Sequence, residues 1–292
     1  MGNLDLLNEL MNKSVPNTRY KINEVSDKRF YYENKYAKPI ETYYKLTYRK
    51  SNEFEMFGTS KGYDCYKICS VASSARLCYL FLANDMNIRF EWHLLNATSK
   101  KEVWENPNKN DAQLDAFDFR TYYECKCQEI FEYRTPLSIS YAKYLEQYFG
   151  ITNLPRRERN IIATMKEFHL GNSDKNYLHT YFDIKQLFTH LCAIIKDNKQ
   201  LEDRKLQYIF FTPKENLIKG SALEDAYQEL INEAEEIKNS EVIKIAKETY
   251  HIDFDYELVP IDDKRMASDP DEPLGKLEEA FCNNWVNICT IP

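Results

Sequence analysis

The sequence predicts an α/β protein in which a central mixed β-sheet is flanked by helices. Three observations predict this class: several segments with apolar residues at helical spacing, short alternating or continuously apolar segments typical of strands, and the order of the two kinds of segment. That order is helix, strand, hairpin, helix, strand. It suits a sheet whose faces are covered by helices.

The individual elements follow from the spacing of apolar residues. Helices are predicted over residues 63–82, 136–150, 181–195, 222–247 and 274–286, strands over 88–95, 206–211 and 254–261, and a β-hairpin over 113–127. The segment 206–211 is almost continuously apolar and stops before Pro213. Such a run is typical of a strand buried at the centre of a sheet.

The length of 292 residues allows one large α/β domain or two small ones, and we predict a single domain with extensions. Residues 1–50 are polar and tyrosine-rich and are interpreted as an N-terminal extension. Residues 51–215 carry the predicted core. Residues 216–292 are predicted to form a C-terminal helical and strand extension that packs on this core.

Charge and cysteine content restrict the class of protein. The 39 basic and 46 acidic residues give a net charge of −7, which disfavours a protein that mainly wraps nucleic acid. A nuclease remains compatible with this charge, because it needs carboxylates for metal and only one positive face. The eight cysteines lack zinc-ligand spacing and residues 1–14 do not resemble a signal peptide, so we expect reduced thiols and a cytoplasmic location. No apolar run has the length of a membrane span, and we expect no membrane partner.

The predicted hairpin brings two carboxylates and one ammonium group together. If its loop has an even number of residues, Phe117 pairs with Tyr122, and Asp115 then lies directly opposite Glu124. Lys126 follows Glu124 by two positions and therefore projects from the same face of the strand.

Opposed carboxylates at cross-strand distance, roughly 5 Å between Cβ atoms, are destabilising unless something neutralises them. A divalent cation such as Mg²⁺, or Mn²⁺ in its place, would do so through Asp115 and Glu124, with the backbone carbonyl of Cys125 as a further ligand. At a phosphodiester the cation polarises an oxygen and activates water, and Lys126 stabilises the charge of the transition state. The alternative interpretation is an exposed hairpin whose polar face is solvated and whose Lys126 only pairs with an acid.

The opposite face of the hairpin favours the functional interpretation. Leu114, Ala116, Tyr123 and Cys125 fall on that face, and all four are apolar or partly apolar. This is the pattern of a ribbon with one buried face and one face free for function.

The segments 114–116 and 124–131 resemble the core motif of the PD-(D/E)xK nuclease superfamily, especially its restriction-endonuclease-like members. The segment 73–78 is similar to the Ser-Ser helix before the first core strand, and Tyr181 with Gln186-Leu187 is similar to the helix that faces the site. The resemblance covers roughly residues 63–212, about half the chain.

The resemblance implies a restriction-endonuclease-like core, with Asp115 and Glu124 as metal ligands and Lys126 as the catalytic lysine. Leu114 stands where the motif usually has proline, which is a common variation. The acid that the first helix often supplies has no well-placed equivalent, because Asp64 lies at the start of that helix and Glu53 and Glu55 precede it. The number of metal ions therefore stays open.

Other groups carry weaker signals. Asp262-Asp263-Lys264 is a rival triplet, but Pro260 interrupts the strand before it and the triplet falls in a turn-like segment. Further candidates for the site are Glu91, Glu129 and Gln186, and the cluster Arg156, Arg157 and Arg159 has the chemistry to contact phosphate. The five histidines lack metal-ligand spacing and are interpreted as structural, although His190 shares a helix face with Gln186.

Together these observations predict a Mg²⁺-dependent endodeoxyribonuclease that hydrolyses DNA phosphodiesters in restriction or defence. If it cuts both strands of duplex DNA at a symmetric site, a homodimer follows, because two-fold symmetry in the substrate needs two active sites. One alternative is a repair, recombination or RNA-directed nuclease on the same core. Another is a nucleic-acid or protein binding module that has lost catalysis.

Overall fold

A five-stranded mixed β-sheet lies at the centre of the computed structural model, and helices pack against it. The structure describes residues 2–26, 28–47, 51–58, 62, 64–95, 111–131, 141–152, 180–197 and 203–289. This architecture confirms the predicted α/β class with a mixed central sheet.

The strands form one large sheet and two small hairpins. In chain order they are β1 (Ile22–Ser26), β2 (Arg29–Tyr32), β3 (Met56–Gly58), β4 (Asp64–Tyr66), β5 (Arg89–Leu95), β6 (Asp111–Phe117), β7 (Thr121–Lys126), β8 (Arg204–Thr212) and β9 (Ile252–Pro260). β1 pairs with β2 and β3 with β4, both antiparallel. The large sheet has the order β5-β6-β7-β8-β9, in which β5, β6 and β7 are antiparallel and β7, β8 and β9 are parallel.

Nine α-helices lie within the residues that the structure describes. They are α1 (Asn3–Ser14), α2 (Ala37–Leu46), α3 (Ser74–Leu82), α4 (Ala142–Phe149), α5 (Ile184–Asp197), α6 (Glu215–Ile218), α7 (Glu224–Lys238), α8 (Glu241–Tyr250) and α9 (Asp271–Cys289). None of these helices combines the length and the apolar character that crossing a lipid bilayer requires.

Helices α3 and α5 cover opposite faces of the sheet. Consecutive residues of a strand point to opposite faces. On β7, Cys125 lies next to Cys78 of α3, and the two thiols influence each other's pKa. The neighbouring carboxylate of Glu124 faces the ring of His190 in α5. Strand β8 lies between β7 and β9 and is buried along nearly all of its length, as expected for a parallel strand in a sheet covered on both sides.

The tyrosines of the N-terminal region pack into the same core as the sheet. Tyr43 and Tyr44 of α2 are both buried. The ring of Tyr44 stacks on Phe90 of β5 with 5.6 Å between centroids, and Tyr43 meets Tyr79 of α3 edge-on at 5.2 Å. Large aromatic rings bury much apolar area, so residues 1–50 stabilise the sheet through these contacts.

Two helix predictions are wrong in their extent. The helix predicted over 63–82 begins only at Ser74, because β4 and a 3-10 turn occupy residues 64–69 and Ser73 caps α3 by accepting a hydrogen bond from the backbone N–H of Arg76 at 3.1 Å. The helix predicted over 222–247 is two helices. Ser240 begins the second one by accepting a hydrogen bond from Ile243 N at 3.3 Å. Apolar periodicity continues across both caps and therefore does not reveal them.

The remaining elements agree with the prediction to within a few residues. The three predicted strands, the hairpin and the helices over 181–195 and 274–286 are all present. Of the helix predicted over 136–150, residues 142–149 are helical, and residues 132–140 lie outside the described part of the chain.

Candidate functional site

The hairpin of β6 and β7 has the register that the sequence predicts. Phe117 pairs with Tyr122 and Ala116 with Tyr123, and Asp115 and Glu124 are the next residues of the two strands after these pairs. The loop is closed by a hydrogen bond from Asp118 N to Thr121 O at 3.1 Å.

Beyond these two pairs, β6 and β7 are connected by a hydrogen bond from the backbone of β7 to a side chain of β6. Carboxylate oxygen Oδ2 of Asp115 accepts a hydrogen bond from the backbone N–H of Cys125 at 2.7 Å. This bond holds the Asp115 carboxylate over β7, next to Glu124.

Lys126 and Glu124 form a buried ion pair on the same face. The Nζ atom of Lys126 lies 2.6 Å from Oε1 of Glu124, and the two residues are only 8% and 3% exposed. Burial by itself disfavours the charged ammonium group, but the carboxylates of Glu124, Glu129 and Asp115 outweigh it and raise the pKa of Lys126 above its usual value. Lys126 is therefore a permanent positive charge inside the cluster.

Asp115 is the half-buried member of the predicted triad. Burial, and secondly the charge of Glu124, raise the pKa of the Asp115 carboxyl well above its usual range, although Lys126 and the Cys125 N–H act in the opposite direction. The structure thus brings Asp115, Glu124 and Lys126 together, and it leaves Asp115 as the group with the greatest access to solvent.

Glu129 connects the end of β7 to the start of α3. Its Oε2 accepts a hydrogen bond from Cys127 N at 2.9 Å, and its Oε1 accepts one from the hydroxyl of Ser74 at 2.8 Å. Its charge contributes to the raised pKa values of both Lys126 and Asp115. The segment 73–78 therefore meets the cluster through Ser74, and Glu129 is a structural link as well as a nearby charge.

Strand β5 places Glu91 across from Asp115. The pairs Phe90 with Ala116 and Trp92 with Leu114 flank this position. Glu91 is half-buried and has a positive φ of 49°, a conformation in which a side chain other than glycine is strained. Burial, and then charges that include Glu91 and Asp115, raise the pKa of Tyr44. Glu91 therefore lies beside the cluster.

Helix α5 contributes His190, which the sequence analysis interpreted as a structural histidine. The Nε2 atom of His190 lies 3.9 Å from Oε2 of Glu124, and its Nδ1 atom lies 3.2 Å from the hydroxyl oxygen of Tyr208 on β8. The helical spacing from Gln186 was the only signal in the sequence for this position.

The rival triplet lies on the surface in the turn after β9. Asp262 and Lys264 are exposed, and Asp263 accepts hydrogen bonds from the guanidinium group of Arg265 at 2.9 Å. Arg265 lowers the pKa of Asp263 to about 2. Asp263 is therefore held by a local ion pair in a turn. The cluster of Arg156, Arg157 and Arg159 lies outside the described residues.

Asp115 and Glu124 fit a cation held by two carboxylates together with water. Burial, and then repulsion by Glu124, raise the pKa of Asp115, and a nearby divalent cation would oppose both effects. Mg²⁺ is commonly bound by only one or two carboxylates. Within the described ranges, no group of three or more His, Cys, Asp or Glu side chains could hold a metal ion. The residues therefore fit a partly hydrated cation and not a cage of protein side chains.

No protein-family model, curated protein or solved structure matches this chain.

Proposed function

We propose that this chain is a Mg²⁺-dependent endodeoxyribonuclease with a PD-(D/E)xK-type core, and that it acts in restriction or another form of defence. The observation that carries the proposal is the convergence of Asp115, Glu124 and Lys126 on one face of the β6–β7 hairpin. A buried lysine 2.6 Å from a carboxylate, beside a second carboxylate, combines the charges that phosphodiester hydrolysis requires.

Each residue of the cluster has a separate role in this proposal. Asp115 and Glu124 hold the cation, and the backbone carbonyl of Cys125 is the further oxygen ligand beside them. When bound, Mg²⁺ supplies Lewis-acid chemistry at the phosphate and lowers the pKa of a bound water. Lys126 donates a hydrogen bond to a phosphate oxygen and stabilises the negative charge that builds up as water attacks phosphorus and the P–O ester bond breaks.

In this proposal, substrate approaches the cluster from the side of its most exposed residue. Asp115 is half-buried, whereas Glu124 and Lys126 are buried. The phosphate therefore enters from the Asp115 side, and Lys126 meets it from within the fold. A buried ammonium group loses little energy to water, so its charge acts strongly on the phosphate.

The test compares wild type with Asp115→Asn and Lys126→Met on supercoiled plasmid, with and without Mg²⁺ or Mn²⁺. Wild type is expected to nick and linearise the plasmid only with the cation. Each variant is expected to lose about 10²- to 10³-fold in rate, because each loses a group that stabilises the transition state. Asp115→Asn retains an oxygen that accepts the Cys125 hydrogen bond, so its fold is preserved even if Lys126→Met unfolds.

Asp263→Asn is the matched control, because it removes a carboxylate of the rival triplet from an exposed turn. It is expected to cleave like wild type. Cleavage that is unchanged in a folded Lys126→Met variant removes Lys126 from the mechanism. Cleavage without any divalent cation overturns the metal-dependent proposal.

The same assay separates the alternative functions. Supercoiled plasmid, branched DNA and RNA are offered side by side to the wild-type chain. Preference for branched DNA or RNA indicates a repair, recombination or RNA-directed nuclease, and binding without cleavage of any substrate indicates a binding module. Light scattering during cleavage of duplex DNA tests the homodimer that a symmetric double-strand cut requires.

A further inference from the structure

The two oxygens of the Glu124 carboxylate have different surroundings. Oε1 lies 2.6 Å from the ammonium nitrogen of Lys126 and is therefore engaged in the ion pair. Oε2 faces Nε2 of His190 on α5 at 3.9 Å. That separation is too long for a hydrogen bond, so the imidazole acts on Oε2 electrostatically.

The His190 ring is held in place from its other side. It has 0% exposed surface, and its Nδ1 lies 3.2 Å from the hydroxyl oxygen of Tyr208. Tyr208 is the β8 residue paired in register with Glu124, so both side chains belong to the α5 face of the sheet. Glu124, His190 and Tyr208 therefore form one group between the sheet and α5.

Tyr208 and Glu124 both act on the tautomer of His190, one on each side of the ring. A tyrosine hydroxyl can donate or accept, and a neutral imidazole carries one proton on either nitrogen. If Tyr208 donates to Nδ1, the proton is on Nε2 and points toward the negative charge of Glu124. The other tautomer directs a lone pair at that charge, which is repulsive. The favoured tautomer thus has an N–H dipole aimed at Oε2.

The polar side chains of His190 and Tyr208 are buried among apolar ones, which is energetically unfavourable. The surrounding wall of α5 and β8 is made of large apolar side chains, among them Leu187, Leu191 and Phe210, all buried. Burying an imidazole and a hydroxyl in such a wall costs free energy that leucine and phenylalanine would avoid. The arrangement is therefore better explained by its effect on Glu124 than by packing.

We propose that His190, supported by Tyr208, is a positioning residue that orients the Glu124 carboxylate for the divalent cation. This inference rests on the proposed function, because Glu124 is the cation ligand there. His190 holds Oε2 toward the cation site while Lys126 holds Oε1, so the carboxylate is presented in one orientation. Groups that orient a metal ligand in this way typically change metal affinity by 10- to 100-fold when removed.

The experiment measures Mn²⁺ binding to the full chain by calorimetry, without substrate. His190→Leu is expected to weaken binding by about 10-fold or more, and Tyr208→Phe to weaken it less. His190→Gln carries an amide N–H near the position of Nε2 and is expected to restore most of the affinity. Tyr256→Phe is the matched control: Tyr256 pairs with Tyr208 from β9, but its hydroxyl donates to Glu235 at 2.7 Å, so Mn²⁺ affinity should not change.

A second measurement does not need the metal. Nitrogen NMR of the metal-free protein is expected to show the His190 proton on Nε2, with a shift of that resonance in Glu124→Gln and a loss of tautomer preference in Tyr208→Phe. Thermal unfolding of each variant confirms that it is folded.

The outcomes separate the two proposals. If wild type binds Mn²⁺ and folded His190→Leu binds it equally well, the positioning role is overturned and the nuclease proposal stands. If wild type neither binds Mn²⁺ nor cleaves nucleic acid, the proposed function fails. In that case, a His190 nitrogen resonance that does not shift in Glu124→Gln also overturns the interaction between His190 and Glu124.

Discussion

At the scale of single residues, Asp115 is an acid whose surroundings in the candidate site disfavour its charged form. Burial and the neighbouring Glu124 raise its pKa well above 3.8, so its ionised form is less favourable in the folded chain than in the unfolded chain. An acid with a raised folded-state pKa binds its proton more tightly when folded. Stability is therefore lost as the pH rises from 3.8 through the folded-state pKa.

The Asp115→Asn variant tests this effect. In the metal-free protein we expect the variant to be more stable than wild type at neutral pH, and the difference to vanish as the pH falls below 3.8, where both side chains are uncharged. Urea unfolding over a series of pH values measures it. A variant that is less stable than wild type at every pH contradicts the assignment. The same substitution is expected to slow cleavage by about 10²- to 10³-fold in the proposed function, so stability and activity should change in opposite directions.

At the scale of secondary-structure elements, short local contacts decide where helices and turns begin. Phe119 and Arg120 form the tip of the β6–β7 turn, inside the hydrogen bond from Asp118 N to Thr121 O. The Asp118 carboxylate accepts hydrogen bonds from Arg120 N at 3.2 Å and Thr121 N at 2.7 Å. Ser240 has the same kind of role for α8, where its hydroxyl accepts from Ile243 N. Each contact satisfies backbone donors that a strand end or a helix start leaves unpaired.

Ser240→Ala is expected to destabilise the chain by about 1 kcal/mol, because the first turn of α8 loses its capping acceptor. Ser240→Asn restores an acceptor and is expected to recover part of the loss. The free energy of unfolding in urea measures both changes. Equal stability of the alanine variant and wild type would show that the buried Ser240 hydroxyl does not hold α8.

At the scale of the whole molecule, one continuous core joins the N-terminal helices, the sheet and the C-terminal helices. Leu7 of α1, Leu206 of β8 and Leu277 of α9 belong to the same cluster of buried side chains. Among the cysteines whose side chains the structure describes, six are buried and Cys282 on α9 is exposed, and all seven are free thiols. Burial raises the pKa of the inner thiols, such as Cys125 and Cys192, which keeps them protonated and unreactive.

Brief treatment of the native chain with N-ethylmaleimide is expected to modify Cys282 well before Cys78, Cys125, Cys127 or Cys192. Mass spectrometry of peptides identifies the sites, and Cys282→Ser is the control. In urea above the unfolding transition, all of them should react together, because the core is one cooperative unit. Rapid labelling of Cys125 in the native chain contradicts the packing of β7 against α3.

The sequence by itself determined the α/β class and the register of the β6–β7 hairpin. Both depend on local patterns: the spacing of apolar residues along one element, and the alternation of faces across a short loop. The proximity of Asp115, Glu124 and Lys126 follows from that alternation, whereas their roles as metal ligands and catalytic lysine stay predictions. The predicted helix bounds were less accurate, because Ser73 and Ser240 begin helices at positions where the apolar periodicity continues without a break.

Only the tertiary structure decided which distant side chains complete the site. Ser74 reaches Glu129 from α3, and His190 reaches Glu124 from α5. It also decided that the N-terminal tyrosines pack on β5. These contacts join residues far apart in the chain, and they depend on how the helices pack on the two faces of the sheet. That packing is set by the summed burial of many side chains, which no single stretch of sequence encodes.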